Sequence, residues 1–252
     1  MRLADLVAYT DELLAVGSFS DYCPNGLQVE GRGEVRRIVG GVTACQALLD
    51  AAVAARADLV LVHHGYFWKG EEARITGMRK RRLATLLTQD MSLLAYHLPL
   101  DAHPQLGNNA QLARVLGFAV DGVLGGGGRT PGLVMTGTLG REMSGAELAA
   151  HIGGCLGREP LHVAGSSRAI RRVAWCSGGA QSYIDLAIAA GVDAYLTGEV
   201  SEPTVHSARE NELHFFAAGH HATERYGVQA LGAHLAQSCG LQFEFIDVPN
   251  PA

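Results

Sequence analysis

Residues 36–65 recur at 171–200. The segments RRIVGGVTACQALLDAAVAARADLVLVHHG and RRVAWCSGGAQSYIDLAIAAGVDAYLTGEV align without a gap at a constant offset of 135. Nine of the thirty positions are identical: Arg36/Arg171, Arg37/Arg172, Gln46/Gln181, Asp50/Asp185, Ala52/Ala187, Ala54/Ala189, Ala55/Ala190, Asp58/Asp193 and Leu61/Leu196. Apolar matches such as Ile38/Val173 and Val53/Ile188 extend the likeness. Two alanine-rich segments can converge by composition, but the absence of gaps favours duplication. A chain that carries one unit twice is confined to architectures with two similar layers.

The unit reads as strand, helix, strand. IVGGV is a short apolar strand ending in glycines, and TACQALLDAAVAAR places Ala44, Leu48, Ala51, Ala52 and Ala55 at helical spacing. Thr43 is positioned to serve as that helix's N-cap. LVLVHHG is apolar throughout its strand, as expected of a parallel sheet covered on both faces. The second copy repeats the order through VAWCSGG, AQSYIDLAIAAG and AYLTGEV. Each copy is followed by another helix and strand, RKRRLATLLTQD with SLLAYHL and VHSARENE with LHFFAAG. Further on, the helices NNAQLARVLG and YGVQALGAHLAQSCG lead to FAV and LQFEFIDV. GTLGREMSGAELAAHIGG and PLHVAG add a strand, a helix and a strand to the second half. The glycine-rich stretch 124–132 reads as a linker. The expected fold is α/β, with two similar α/β domains at 1–125 and 126–252.

Composition removes several classes of function. No apolar run approaches the roughly 20 residues that span a bilayer. The N-terminal segment carries Asp5, Asp11 and Glu12, so it reads as an amphipathic helix rather than a signal peptide. Five cysteines (Cys23, Cys45, Cys155, Cys176 and Cys239), none in a CxxC pair, suit reduced thiols in the cytoplasm. With 20 basic and 25 acidic residues the net charge is −5, which argues against a wide basic surface for nucleic acid. The basic run Met78–Arg82 reads as a solvated helix face that can steer an anionic substrate.

Histidines carry the chemistry. His63 and His64 close one strand, His97 and Asp101 follow another, and His220, His221 and Glu224 open a helix after a third. Open α/β sheets bind ligands beyond the carboxyl ends of their strands, so three clusters there can meet. Any one of them alone reads as ordinary surface or core residues; their coincidence in both halves favours metal. Imidazole and carboxylate without cysteine suit Zn²⁺, Mn²⁺, Fe²⁺ or Ni²⁺. His220 and Glu224, four apart, share a helix face. His63 and His64, adjacent on a strand, face opposite ways unless the strand ends there, as Gly65 suggests. The five candidate ligands His63, His64, Asp101, His220 and Glu224 exceed the three protein ligands of a simple catalytic zinc. They suit two metals about 3.5–4 Å apart, in a site expected between the two domains.

SDYCPNGLQVEG, VHHGYFWKG, HLPLDAHPQLGNNAQLA, TGEVSE, AAGHHATER and FIDVPNPA together resemble one family over essentially the whole chain. It is the dinuclear-metal-centre hexameric family catalogued as type 2 homologues of GTP cyclohydrolase I, and in particular its enterobacterial-type members. The resemblance implies a two-domain α/β subunit, a toroidal homohexamer, and two divalent metals per subunit facing the ring interior. It carries the ligands onto the same five residues, with Asp101 or Glu224 expected to bridge. Cyclohydrolase chemistry fits such a site: metal-bound hydroxide attacks C8 of a purine, and the imidazole ring opens with loss of formate. His97, or His221 as the non-ligand of its pair, is placed to shuttle the proton. The expectation is therefore a metal-dependent hydrolase of a nucleotide or related small molecule, with no membrane partner. The alternatives are a metallophosphoesterase acting on nucleotides and a non-enzymatic metal-binding ring for nucleic acid or protein partners.

Overall fold

Asp58 and Asp193, identical in the repeat, do the same work in both copies. The computed structural model describes residues 1–127 and 131–252. Asp58 Oδ2 accepts the backbone N–H groups of Arg36 and Arg37 at 2.8 and 2.9 Å. Asp193 Oδ2 accepts those of Arg171 and Arg172 at 2.9 and 2.8 Å. In return Asp58 N–H reaches Arg37 O and Asp193 N–H reaches Arg172 O, each at 2.9 Å. One carboxylate thus ties the feet of two neighbouring strands together and fixes their register.

The chain divides into two compact units. The first comprises Met1–Gly107 and Gly227–Val248. It contains α1 (Leu3–Leu13), β1 (Gly26–Val29), β2 (Arg37–Thr43), α2 (Gln46–Ala54), β3 (Leu59–His64), α3 (Gly77–Thr88), β4 (Ser92–Ala95) and α4 (Leu98–Ala102). The second unit, Asn108–Tyr226 with Pro249–Ala252, holds α5 (Asn108–Leu116), β5 (Ala119–Leu124), β6 (Val134–Met143), α6 (Gly145–Leu156) and β7 (Leu161–Val163). It continues with β8 (Ile170–Trp175), α7 (Ile184–Ala189), β9 (Ala194–Thr197), α8 (Glu202–Glu210) and β10 (His214–Ala217). Helix α9 (His220–Cys239) begins in the second unit and from Gly227 belongs to the first, which β11 (Gln242–Phe245) completes.

The first sheet has the order β1-β4-β3-β2-β11, and the second β5-β6-β8-β9-β10-β7. Within them β2-β3-β4 and β8-β9-β10 are parallel runs, each bordered by an antiparallel edge strand, β1 or β7. The duplicated segment is β2-α2-β3 in one unit and β8-α7-β9 in the other. The copies diverge on the far side of the run. There β2 takes parallel β11, whereas β8 takes antiparallel β6.

Alternate residues of the parallel strands enter separate cores. In the first unit Val39, Val60, Val62 and Leu93 pack with Leu48, Leu49, Leu83 and Leu86 of α2 and α3. Ile38, Leu59, Leu61 and Leu94 pack on the opposite face with Leu3 and Leu6 of α1 and Val228, Leu231 and Leu235 of α9. The second unit repeats this with α7 and α8 on one face and α5 and α6 on the other. Burial on both faces explains the unbroken apolar strands.

The units do not divide at 125/126. The first ends at Gly107, and residues 227–248 return to it because β11 pairs with β2 and the later turns of α9 fill its core. The glycine-rich stretch lies inside the second unit, between the antiparallel strands β5 and β6; its residues 128–130 lie outside the described residues. Among the described residues no helix is long and apolar enough to cross a membrane.

Asp58→Ala and Asp193→Ala should each cost about 1–3 kcal/mol, because each strands two backbone donors. Urea denaturation checks this, and losses within a few tenths of a kcal/mol would show that the carboxylates do not hold the register.

Candidate metal centre

In the first unit β3 spends its apolar residues on the two cores and delivers His63 and His64 at its carboxyl end. The strand stops at His64, and the two rings lie with centroids 4.5 Å apart and planes tilted by 45°. Gly65 allows this end. A Cβ there would overlap Gln28 Oε1 and lie 2.6 Å from Ala95 Cβ.

His63 is fully buried, with Nδ1 at 2.8 Å from Tyr96 O. A carbonyl only accepts, so Nδ1 carries the proton and Nε2 keeps its lone pair in the neutral ring. That Nε2 lies 3.5 Å from Oδ1 of Asp101, a buried carboxylate on α4. His64 Nδ1 meets Thr43 Oγ1 at 3.2 Å. Thr43 is therefore not the N-cap expected of it. It ends β2, and α2 starts at Gln46 with no side-chain cap. One ring nitrogen from each of His63, His64 and His97 falls within 4.8 Å of the others.

His97 is set by a loop whose role the sequence did not disclose. Asp21 Oδ1 lies 2.7 Å from His97 Nδ1, while Asp21 Oδ2 accepts from Leu98 N–H at 3.0 Å and from Asn25 Nδ2 at 2.9 Å. Asn25 Oδ1 accepts His97 N–H at 2.7 Å. Burial pushes the Asp21 carboxyl up, but bonds from His97, Asn25 and Tyr22 N–H outweigh it and hold the pKa down at about 2. Asp21 and Asn25 read as a turn and its flank in isolation; their work depends on a turn 72 or more residues away.

The second unit carries the other two candidates. The first turn of α9 places His220 Nε2 at 3.2 Å from Glu224 Oε2, as the four-residue spacing requires. Glu199, just after β9, holds His220 Nδ1 at 2.7 Å. Burial lowers the His220 pKa, yet Glu224 and Glu199 together push it up to about 9. Glu224 is buried. Gly178, after β8, has φ +67° and leaves the room that Glu224 occupies, since a Cβ there would overlap Glu224 Oε1 and lie 3.1 Å from His220 Nε2. Thr223 Oγ1 accepts Gly178 N–H at 3.0 Å and fastens that turn to α9. His221 is buried, with its backbone N–H on Ala252 O at 3.2 Å. Glu199 was legible through the repeat, because the offset of 135 pairs it with His64.

These donors fit a divalent cation. Each unit brings imidazole nitrogen beside carboxylate oxygen. A carbonyl, a hydroxyl or a carboxylate holds one ring nitrogen of His63, His64, His97 and His220, the arrangement that orients metal-ligating histidines.

A profile of the Duf34/NIF3 (NGG1p interacting factor 3) family matches residues 1–251. The chain belongs to the Duf34/NIF3 family. Among its relatives, the "GTP cyclohydrolase 1 type 2 homolog" of Pseudomonas aeruginosa is 64% identical over 252 residues, covering 100% of this chain and 99% of that one. The protein of the same name from Escherichia coli K12 is 54% identical over 253 residues, with 100% of both covered. A solved structure described as "protein ybgI, unknown function" has a TM-score of 0.95 at 55% identity and covers 100% of each chain. Full-length agreement with that solved structure accords with the two-domain α/β fold.

Two outcomes follow from the geometry. Gly178→Ala should destabilise the chain by about 1–3 kcal/mol, since an L-residue is strained at that φ and Glu224 must move; urea denaturation reads the loss. Asp21→Asn tests linkage. The folded pKa of about 2 lies below the ordinary 3.8, so the charged form stabilises the fold above about pH 4, and that stabilisation is lost as pH falls toward 2. The variant should be weaker by on the order of 2 kcal/mol at pH 7. Its deficit relative to the parent should shrink between pH 4 and 2; a pH-independent deficit would contradict the assignment.

Proposed function

We propose that this protein is a dinuclear metal-dependent hydrolase acting on a nucleotide or a related small molecule. His63, His64 and Asp101 of the first unit and His220 and Glu224 of the second are its ligands. The carrying observation is the orientation of His63: its Nδ1 is committed to Tyr96 O and its Nε2 faces a buried carboxylate. The names of the relatives point to a purine nucleotide as substrate.

Two divalent ions held there would supply a nucleophile at neutral pH by lowering the pKa of a water to roughly 7. The protein's own residues do the rest. Asp21 holds the His97 ring by Nδ1, leaving Nε2 to accept a proton from the nucleophile and return it to the leaving nitrogen. His221, beside His220, is the second candidate for this transfer. Glu199 keeps His220 facing Glu224. For a purine substrate two waters are consumed: addition at C8 and cleavage of the C8–N9 bond leave a formamide on N7, and hydrolysis of that formamide breaks the N7–C8 bond and releases formate. We place the protein in the cytoplasm and, by family resemblance, in a homohexamer.

Formate release from GTP by metal-loaded protein, measured beside His63→Ala, tests the reading. Release is expected from the parent and should fall at least 100-fold in the variant, the scale on which lost nucleophile activation is felt. Metal analysis should find close to two ions per chain in the parent and fewer in Glu224→Ala. No formate from protein shown to hold both metals would retire the cyclohydrolase reaction and put phosphoester substrates first.

A further inference from the structure

Beside the histidines of the first unit stand two aromatic side chains that the hydrolytic chemistry does not use. Trp68 meets the His97 ring edge-to-face, with centroids 5.0 Å apart and planes at 84°, and lies 5.9 Å from the ring of His64. Tyr22 approaches His97 at 6.5 Å and 62°, and 61% of its surface is open to solvent. An exposed tyrosine beside a histidine cluster that is buried at His63 and half-buried at His64 and His97 forgoes the burial that usually stabilises a large ring.

The backbone holds both rings in place. Phe67 has φ +66°, a left-handed conformation that a bulky residue adopts only when its surroundings impose it. The surroundings are visible: the Arg79 guanidinium lies 5.1 Å from the Phe67 ring centroid, and Arg79 also bonds Glu72 O. This turn folds Trp68 back toward the end of β3, where its indole N–H reaches Gly65 O at 3.3 Å. Lys69 N–H then donates to Tyr22 O at 2.7 Å, clasping the two aromatic loops together. Tyr22 follows Asp21, so the aromatic ring stands next in the chain to the residue that orients His97.

We propose that Trp68 and Tyr22 form a subsite that stacks the planar heteroaromatic base of the substrate against the histidine cluster. The inference rests on the reading of this site as nucleotide-directed and assigns the part of the ligand that is recognised. Aromatic faces accept any base and contribute about 1–3 kcal/mol per stacked base. Ribose and phosphate gain little from them. Arg79 acts as a positioning residue, through Phe67.

Tryptophan fluorescence tests this directly. The chain has two tryptophans, and Trp175 is fully buried in the core of the second unit, so quenching by an added base reports on Trp68. Metal-loaded, full-length protein is titrated with guanosine, GTP, ribose 5-phosphate and tripolyphosphate. Guanosine and GTP should quench, while ribose 5-phosphate and tripolyphosphate should not. Tyr22→Ala should weaken guanosine binding by about 5–150-fold, the range that such stacking spans, with metal content unchanged. Tyr22→Phe should restore it, because the ring and not the hydroxyl is needed. For Trp68→Ala, which removes the reporter, calorimetry reads the same loss. The proposal is overturned by absence of guanosine binding, by equal response to tripolyphosphate, or by unaltered affinity in both alanine variants. Guanosine binding without formate release would retain the base subsite and discard the cyclohydrolase reaction. Formate release with unaltered affinity in both variants would do the reverse.

Discussion

A parallel sheet covered by helices on both faces has no side on which to expose polar chemistry. The apolar side chains Ile38, Val39, Leu59, Val60, Leu61, Val62, Leu93 and Leu94 of β2, β3 and β4 enter one of two cores, and Val173, Ala174, Trp175, Ala194, Tyr195, Leu196, Phe215 and Phe216 do so in β8, β9 and β10. Buried ionisable groups then gather toward the ends of the strands. That constraint explains why His63, His64 and His97, and likewise Glu199 and His220, all stand at carboxyl ends. The aspartates at the opposite ends, Asp58 and Asp193, fix the strands in register and so fix where each strand ends.

Burying imidazoles and carboxylates is expensive unless each is oriented and bonded. In this chain the orienting groups come from unremarkable parts of the sequence. A backbone carbonyl sets His63, the last residue of β2 sets His64, a loop aspartate sets His97, and Glu199 sets His220. Glycine serves the same end by leaving space. Gly178 makes room for Glu224, and Gly65 lets β3 finish against Gln28 and β4. The geometry of the candidate centre thus depends as much on these supports as on the donors.

The repeat gives both units one frame, and the differences between its two copies specialise it. At the offset of 135, His64 is matched by Glu199 and His63 by Gly198. One copy carries donors at that strand end; the other carries a glycine and the carboxylate that steers His220 at the start of α9. The edges differ as well, since β11 closes one sheet where β6 and β5 extend the other.

Much of this was legible in the residues alone. The gapless repeat and the unbroken apolar strands determined two α/β layers, because such strands are stable only when covered on both faces. The spacing of His220 and Glu224 put both on one face of a helix, because a helix has 3.6 residues per turn. Distant partners were not legible. Nothing near Asp21 in the sequence announces His97, nothing near Thr43 announces His64, and the return of residues 227–248 to the first unit follows from a strand pairing over 200 residues long in sequence separation. Local pattern specifies which groups reach a strand end. Which of them meet, and what holds each ring, is decided by packing between segments far apart in the chain, and only the tertiary structure carries that information.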